Sequence, residues 1–136
     1  MTNVLVAISL GALALVAAWL INRRKPKTTP VAGAHHVPDR IDRSDFARPE
    51  APVLLAVFTS ATCVSCAAMV AVARGAASDT VAVDEAQVGA RGDVHRRYEI
   101  DAVPILVVAD RDGIVRASFA GAVTADELAE ALVGLH

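Results

Sequence analysis

Cysteine is scarce in this chain of 136 residues: it has two, Cys63 and Cys66, so any thiol chemistry depends on this one pair. No internal repeat is visible in the sequence. Basic residues are not in excess, since the formal net charge is −2, and residues 31–136 carry −6 without the four basic side chains that precede them. This acidic balance argues against nucleic-acid binding.

Charged residues are absent from Val4 to Ile21, a run of eighteen residues in which much of the hydrophobic content is concentrated. A helix of this length spans roughly 27 Å, close to the ~30 Å hydrocarbon core of a membrane. A cleavable signal peptide would need positive charge before the run and small residues after it, and the sequence has neither. The run therefore predicts a retained transmembrane anchor over residues 1–22, with residues 4–21 in the membrane.

Basic residues follow this run and none precedes it: Arg23, Arg24, Lys25 and Lys27 lie on its C-terminal flank. The positive-inside rule places that flank in the cytoplasm. We therefore expect a single-pass protein of the cell membrane with its main domain on the cytoplasmic side. The exoplasmic orientation stays open, because one cluster decides the matter.

Residues 23–43 are punctuated by three prolines and have no apolar periodicity, which predicts a linker. The His35-His36 pair in this linker is more typical of solvated chain than of a metal site. Residues 44–136 then predict one monomeric α/β domain without a metal or cofactor. Its elements are expected as strand 52–59, helix 63–77, strand 80–84, helix 89–98, strands 105–109 and 114–119, and helix 125–135.

The two cysteines lie where an apolar strand-like run, Val53–Phe58, meets a helical run. A spacing of two residues brings the sulfurs within bonding reach across one helical turn. The N-terminus of a helix stabilises a thiolate through unpaired backbone N–H groups and the helix dipole. The pattern predicts reversible thiol–disulfide chemistry, with Cys63 as the more exposed, attacking thiolate and Cys66 as the resolving thiol.

Several segments together carry a family resemblance. They are the strand–CxxC–helix unit, the segment Tyr98–Pro104 with the pattern Y-x-I-x-x-V-P, the Asp112-Gly113 turn of a hairpin, and Phe119-Ala120-Gly121 before the last helix. With these features the chain resembles the thioredoxin-like superfamily over roughly residues 52–135. The resemblance implies a thioredoxin-like fold, a mixed sheet flanked by helices, placed after the transmembrane helix.

The resemblance also implies site residues. Pro104 would be a cis proline that faces the dithiol, and the Val103 backbone would pair with a substrate chain. Thr62, which precedes the first cysteine, completes the expected substrate-binding residues with Val103 and Pro104. The catalytic residues would be Cys63 and Cys66.

Three departures from thioredoxin itself concern the same region. Thr62 stands where thioredoxins have Trp, and Val64-Ser65 stand where they have Gly-Pro. Val57 replaces the buried Asp that assists proton transfer to the second cysteine. The chain is therefore not expected to be a housekeeping thioredoxin, and deprotonation of Cys66 would depend on water or on another group.

The function that these patterns favour is a membrane-tethered thiol–disulfide oxidoreductase acting on protein thiols and disulfides. One alternative is a Cu(I) or other metal carrier, because two soft thiolates suit Cu(I). The loop Ala61–Cys66 also resembles that of copper-binding ferredoxin-like domains, whose fold needs a hairpin directly after the first helix. Another is a redox-inactive thioredoxin-like binding module.

Elsewhere, His95 is interpreted as a surface residue, and Asp84-Glu85 as a solvated turn at the end of a strand.

Overall fold

The computed structural model describes residues 15–17, 27–28 and 35–135. The elements are β1 Lys27–Thr28, a 3₁₀ helix Arg43–Asp45, β2 Val53–Thr59, α1 Cys66–Gly75, β3 Val81–Gln87, α2 Gly92–Arg97, β4 Ile105–Asp110, β5 Val115–Ala120 and α3 Ala125–Leu132. Within these ranges no helix is long and apolar enough to cross a membrane. Most of the predicted span at residues 4–21 lies outside the described residues.

The centre of the fold is a mixed sheet of four strands in the order β5-β4-β2-β3, with the two-residue β1 added beside β5. β2 and β3 are parallel, while β4 is antiparallel to both β2 and β5. The turn between β4 and β5 is held by the Asp110 carboxylate, which accepts hydrogen bonds from the backbone N–H groups of Asp112 and Ile114. The predicted mixed α/β architecture and its hairpin are thus confirmed.

β2 is buried along its whole length because helices cover both faces of the sheet. Alternate side chains of a strand point to opposite faces, so β2 contributes to two separate cores. The core on the side of α2 contains Leu54, Ala56, Phe58, Val94, Tyr98 and Ile105, among others. The core on the side of α1 and α3 contains Val53, Leu55, Val57, Met69, Val70, Leu106 and Leu128, among others.

The surface interpretation of His95 is wrong. Its side chain is buried on α2, with the ring edge-on to Phe58 at 5.3 Å and Nε2 at 2.7 Å from the carbonyl oxygen of Ala86. The neighbours that bury it lie on β2 and β3, so the sequence around His95 could not reveal them. His95 is a core residue whose polar atom has a backbone partner.

The interpretation of Asp84 and Glu85 as a solvated turn is also wrong. Both lie inside β3, which continues to Gln87 because its pairing with β2 continues. Asp84 forms an ion pair of 2.9 Å with Arg91 and accepts a hydrogen bond from the backbone N–H of Ala47. These partners stabilise two half-buried acids within a strand.

Residues 35–43, here called the N-terminal segment, pack against the sheet. The Ile41 N–H donates to the carbonyl of Gly113 at 2.8 Å, and the Val115 N–H donates to the carbonyl of Asp39 at 2.9 Å. Ile41 is buried in the core on the α2 side. The division into residues 1–22, 23–43 and 44–136 remains a prediction, but the end of the predicted linker is part of the folded structure.

Candidate active site

Cys63 and Cys66 form a disulfide with an S–S distance of 2.09 Å. β2 ends at Thr59, and a short turn brings the pair to the start of α1, whose first residue is Cys66. Cys66 is buried, with 4% of its surface exposed, while Cys63 is half-buried. Of the two sulfur-bearing residues, Cys63 is therefore the one that an external thiol can reach more easily.

The electrostatic surroundings of the pair favour a thiolate. Residues 60–68 carry no charged side chain, and no acidic residue occurs in the first turn of α1, so the helix dipole is not opposed locally. Ser65 lies between the cysteines, and its Oγ is 3.7 Å from the Cys63 sulfur. Because this hydroxyl does not cap the helix, it can donate a hydrogen bond to a Cys63 thiolate.

The predicted residues Val103 and Pro104 lie beside the same turn. The peptide bond between them is cis, as the resemblance implies. Together with Ser65 they line a cavity of about 290 Å³, whose other lining residues are His35, Ala102, Ala120 and Gly121. The cavity joins the α1 N-terminus to the loop before β4, and its small side chains leave room for a substrate segment.

Thr62, the third predicted substrate-binding residue, does not line this cavity. It is exposed, and its hydroxyl lies 3.5 Å from that of Ser60. Val64 is also fully open to solvent, with 95% of its surface exposed. These side chains form the outer, uncharged rim of the turn that carries the cysteines.

Val57, which takes the position of the missing acid, is completely buried in β2. Glu85 lies beside it on β3, but both of its carboxylate oxygens have partners. Oε1 accepts a hydrogen bond of 2.9 Å from the buried Thr59 hydroxyl, and Oε2 lies 3.3 Å from the Arg74 guanidinium. Glu85 therefore has a structural role in joining β2, β3 and α1.

The sequence interpretation missed one neighbour of the cavity, His35. Its Nδ1 lies 3.8 Å from Oδ1 of Asp101, while the backbone N–H of the following His36 donates to the same oxygen at 3.2 Å. The His36 ring also lies 3.6 Å from a carboxylate oxygen of Glu99. No local signal could have revealed these contacts, because the partners are more than sixty residues apart in the chain.

The arrangement does not favour the copper-carrier interpretation. That fold needs a hairpin directly after the first helix, but β3 is parallel to β2 and is followed by α2. Among the residues that the structure describes, no group of three or more His, Cys, Asp or Glu side chains is placed to hold a metal ion.

Comparison with known proteins supports the fold alone. No family model matches the sequence, and no curated protein matches it. Solved structures do match, among them one titled "Structure of a malarial protein", with a TM-score of 0.54 and 11% sequence identity. The match covers 60% of this chain and 93% of that chain. The small α/β domain with its CxxC pair is compatible with a thioredoxin-like fold.

Proposed function

We propose that this chain is a thiol–disulfide oxidoreductase of the thioredoxin-like type that exchanges its Cys63–Cys66 disulfide with protein thiols. One observation carries the proposal: a disulfide at the start of α1 has one accessible and one buried member and lies beside an open cavity. A purely structural disulfide does not need to lie in an exposed turn. Thiol–disulfide exchange does, because a second thiolate must approach one of the two sulfurs in line with the S–S bond.

The exchange starts from the oxidised state. A substrate thiolate attacks the Cys63 sulfur, the bond between Cys63 and Cys66 breaks, and Cys66 leaves as a thiolate. A second substrate thiolate then attacks the substrate sulfur of the mixed disulfide, and Cys63 leaves. The substrate becomes oxidised and the dithiol reduced; the reverse sequence reduces a substrate disulfide.

Two features of the turn support this role for Cys63. The N-terminus of α1 and the Ser65 hydroxyl stabilise Cys63 as a leaving thiolate, which speeds the second step. The exposed Val64 offers an apolar contact to a substrate without adding charge. Val103 and Pro104 line the cavity together with Ser65, and a substrate chain would lie along the Val103 backbone.

The proposal includes a location. Residues 4–21 would tether the domain to the cell membrane, and the basic cluster after them favours the cytoplasmic side. A reporter that is active only outside the cytoplasm, fused after the last residue of the full chain, should stay silent. Activity of that reporter would reverse the orientation and make oxidising-compartment chemistry the better proposal.

Trapping tests the chemistry directly. The full chain with Cys66→Ser, incubated with a peptide disulfide, should accumulate a mixed disulfide through Cys63, whereas Cys63→Ser should accumulate none. The wild-type chain, reduced first, should complete the exchange and release the reduced peptide. A wild-type chain that does not exchange at all would favour the redox-inactive binding module, and stoichiometric Cu(I) binding by the unreactive dithiol would favour the metal carrier.

A further inference from the structure

The N-terminal segment brings an imidazole into the proposed active site. His35 lines the same cavity as Ser65, Val103 and Pro104, although it lies 28 residues before Cys63 in the chain. We propose that His35, oriented by Asp101, accepts the proton of the substrate thiol that attacks Cys63. This inference rests on the proposed thiol–disulfide function and names the group that accepts a proton during the exchange.

Contacts of the N-terminal segment place His35 beside the cavity. The Asp101 carboxylate lies 3.8 Å from its Nδ1 and also accepts a hydrogen bond from the His36 backbone N–H. The next residues hold the segment further, because Pro38 is buried and Ile41 pairs with Gly113. Because Asp101 lies on the Nδ1 side of the ring, proton acceptance is assigned to Nε2.

The site has few other groups that could act as a base. The charged group beside His35 is Asp101, and the neighbouring His36 lies beside a second one, Glu99. The remaining lining residues lie just before α1, at the end of β5 and in the loop before β4, and their side chains do not titrate: Ser65, Ala102, Val103, Pro104, Ala120 and Gly121. The position of the missing family acid is held by Val57, and the carboxylate beside it is already engaged. An imidazole is also the side chain best suited to exchange protons near neutral pH.

The proton transfer completes a balanced reaction. The substrate thiol gives its proton to Nε2 of His35 as its sulfur forms a bond to the Cys63 sulfur. The electron pair of the Cys63–Cys66 bond leaves on Cys66, and His35 then releases its proton, through solvent, to that thiolate. After the second substrate thiol has reacted, the substrate holds the disulfide, and both protons are on the cysteines of this chain. The oxidant is the disulfide present in the structure.

The pH dependence of exchange tests the role of His35. The experiment measures single-turnover reduction of the full-length, oxidised chain by dithiothreitol from pH 6 to pH 9, in wild type, His35→Gln and His36→Gln. Glutamine keeps polarity and approximate size but accepts no proton. We expect His35→Gln to be about tenfold slower than wild type near pH 7, less than a fully positioned base provides because the site is open. The two rates should converge by pH 9, where the probe thiol ionises without help.

The control is the neighbouring histidine. His36→Gln should follow the wild-type profile, because its backbone N–H still reaches Asp101. A His35→Gln profile that equals wild type, or that is slower by the same factor at every pH, would overturn the assignment, since a merely structural role lacks pH-dependent convergence. Failure of the wild-type chain itself to exchange would instead refute the proposed function.

Discussion

Glu85 lies directly beside Val57 across the parallel β2–β3 pair, and its carboxylate accepts a hydrogen bond from the buried hydroxyl of Thr59. The thioredoxin-like resemblance leads one to expect a buried acid at position 57. In this chain the carboxylate stands one strand away and is held by Thr59 and Arg74. An acid introduced at position 57 would therefore have a carboxylate as its immediate neighbour.

The first prediction concerns Val57→Asp. Burial and the adjacent Glu85 should both raise the pKa of the introduced carboxyl in the folded state. Stability relative to wild type should then be least affected below the unfolded-state pKa of about 4 and should fall as the pH rises from there toward the folded-state pKa. At pH 7 the loss in the free energy of unfolding should be a few kcal/mol.

Val57→Asn is the matched control, because asparagine is equally polar but does not ionise. Urea unfolding of wild type and both variants at pH 4 and pH 7 measures the effect. The asparagine variant should lose a similar amount at both pH values. If Val57→Asp lowers the free energy of unfolding by the same amount at pH 4 and pH 7, then ionisation of the introduced carboxyl does not destabilise the folded protein.

The second prediction concerns the two thiols after reduction. Cys63 should react with iodoacetamide about tenfold faster than Cys66 near neutral pH, because it is more exposed and the helix N-terminus favours its thiolate. The Cys63→Ser and Cys66→Ser variants each retain one thiol, so their alkylation rates from pH 5 to pH 9 report each cysteine separately. Equal alkylation rates in the two variants would contradict the proposal that Cys63 is the attacking thiolate and Cys66 the resolving thiol.

The third prediction concerns Tyr98, the one tyrosine of the chain. Burial and the hydrogen bond that its hydroxyl donates to the Asp45 carboxylate raise its pKa to about 12. The unfolded state ionises near pH 10, so the protein should lose stability between pH 10 and pH 12. Tyrosinate absorbance should accordingly titrate near pH 12 in the folded chain and near pH 10 in denaturant.

Tyr98→Phe should remove this alkaline loss of stability. Near neutral pH it should also lower the free energy of unfolding by about 1–2 kcal/mol, since the Asp45 carboxylate and the Asp42 N–H lose a partner. A wild-type titration midpoint near pH 10 without denaturant would mean that the hydroxyl is solvated and that the buried hydrogen bond is absent in solution.

The fourth prediction concerns Gly113. Its φ is +77°, and a Cβ at this position would lie 2.0 Å from the Ile41 carbonyl oxygen, a backbone atom that cannot move alone. Gly113→Ala should cost about 3 kcal/mol or more, because backbone strain and this clash add. Gly134 has a similar φ of +80° and open space around it, so Gly134→Ala should cost only about 1 kcal/mol.

The two glycine variants differ in what else they disturb. Gly113→Ala should loosen the N-terminal segment, so amide exchange at Ile41 should accelerate even under native conditions, whereas Gly134→Ala should leave it unchanged. Equal stability losses in the two variants would indicate that the contact between Ile41 and Gly113 is not maintained in solution.

The order of strands and helices could be predicted from the sequence because it depends on local patterns. The apolar run of β2, the CxxC at the following helix and the Asp112-Gly113 turn each indicate their structure within a few residues. Element ends were less accurate: the helix expected over residues 63–77 is Cys66–Gly75, and the strand expected over residues 80–84 continues to Gln87.

The side chains whose neighbours the sequence did not reveal all depend on distant partners. His95 is buried by residues of two strands, Glu85 is stabilised by Thr59, and His35 is held by Asp101, which follows it by 66 positions. Such contacts exist only once the sheet has formed. The local sequence shows that these residues are polar, but it does not show which distant residue forms a hydrogen bond or ion pair with each of them.

The pairing of β1 with β5 limits how far the domain can stand from its attachment. If residues 4–21 lie in the membrane as proposed, only residues 22–26 separate them from Lys27, which lies beside Ala117. The six residue steps from Ile21 to Lys27 span at most about 22 Å when fully extended. The β5 edge of the sheet, beside which Lys27 lies, would then be held close to the bilayer, so the tether would restrict the reach of the whole domain.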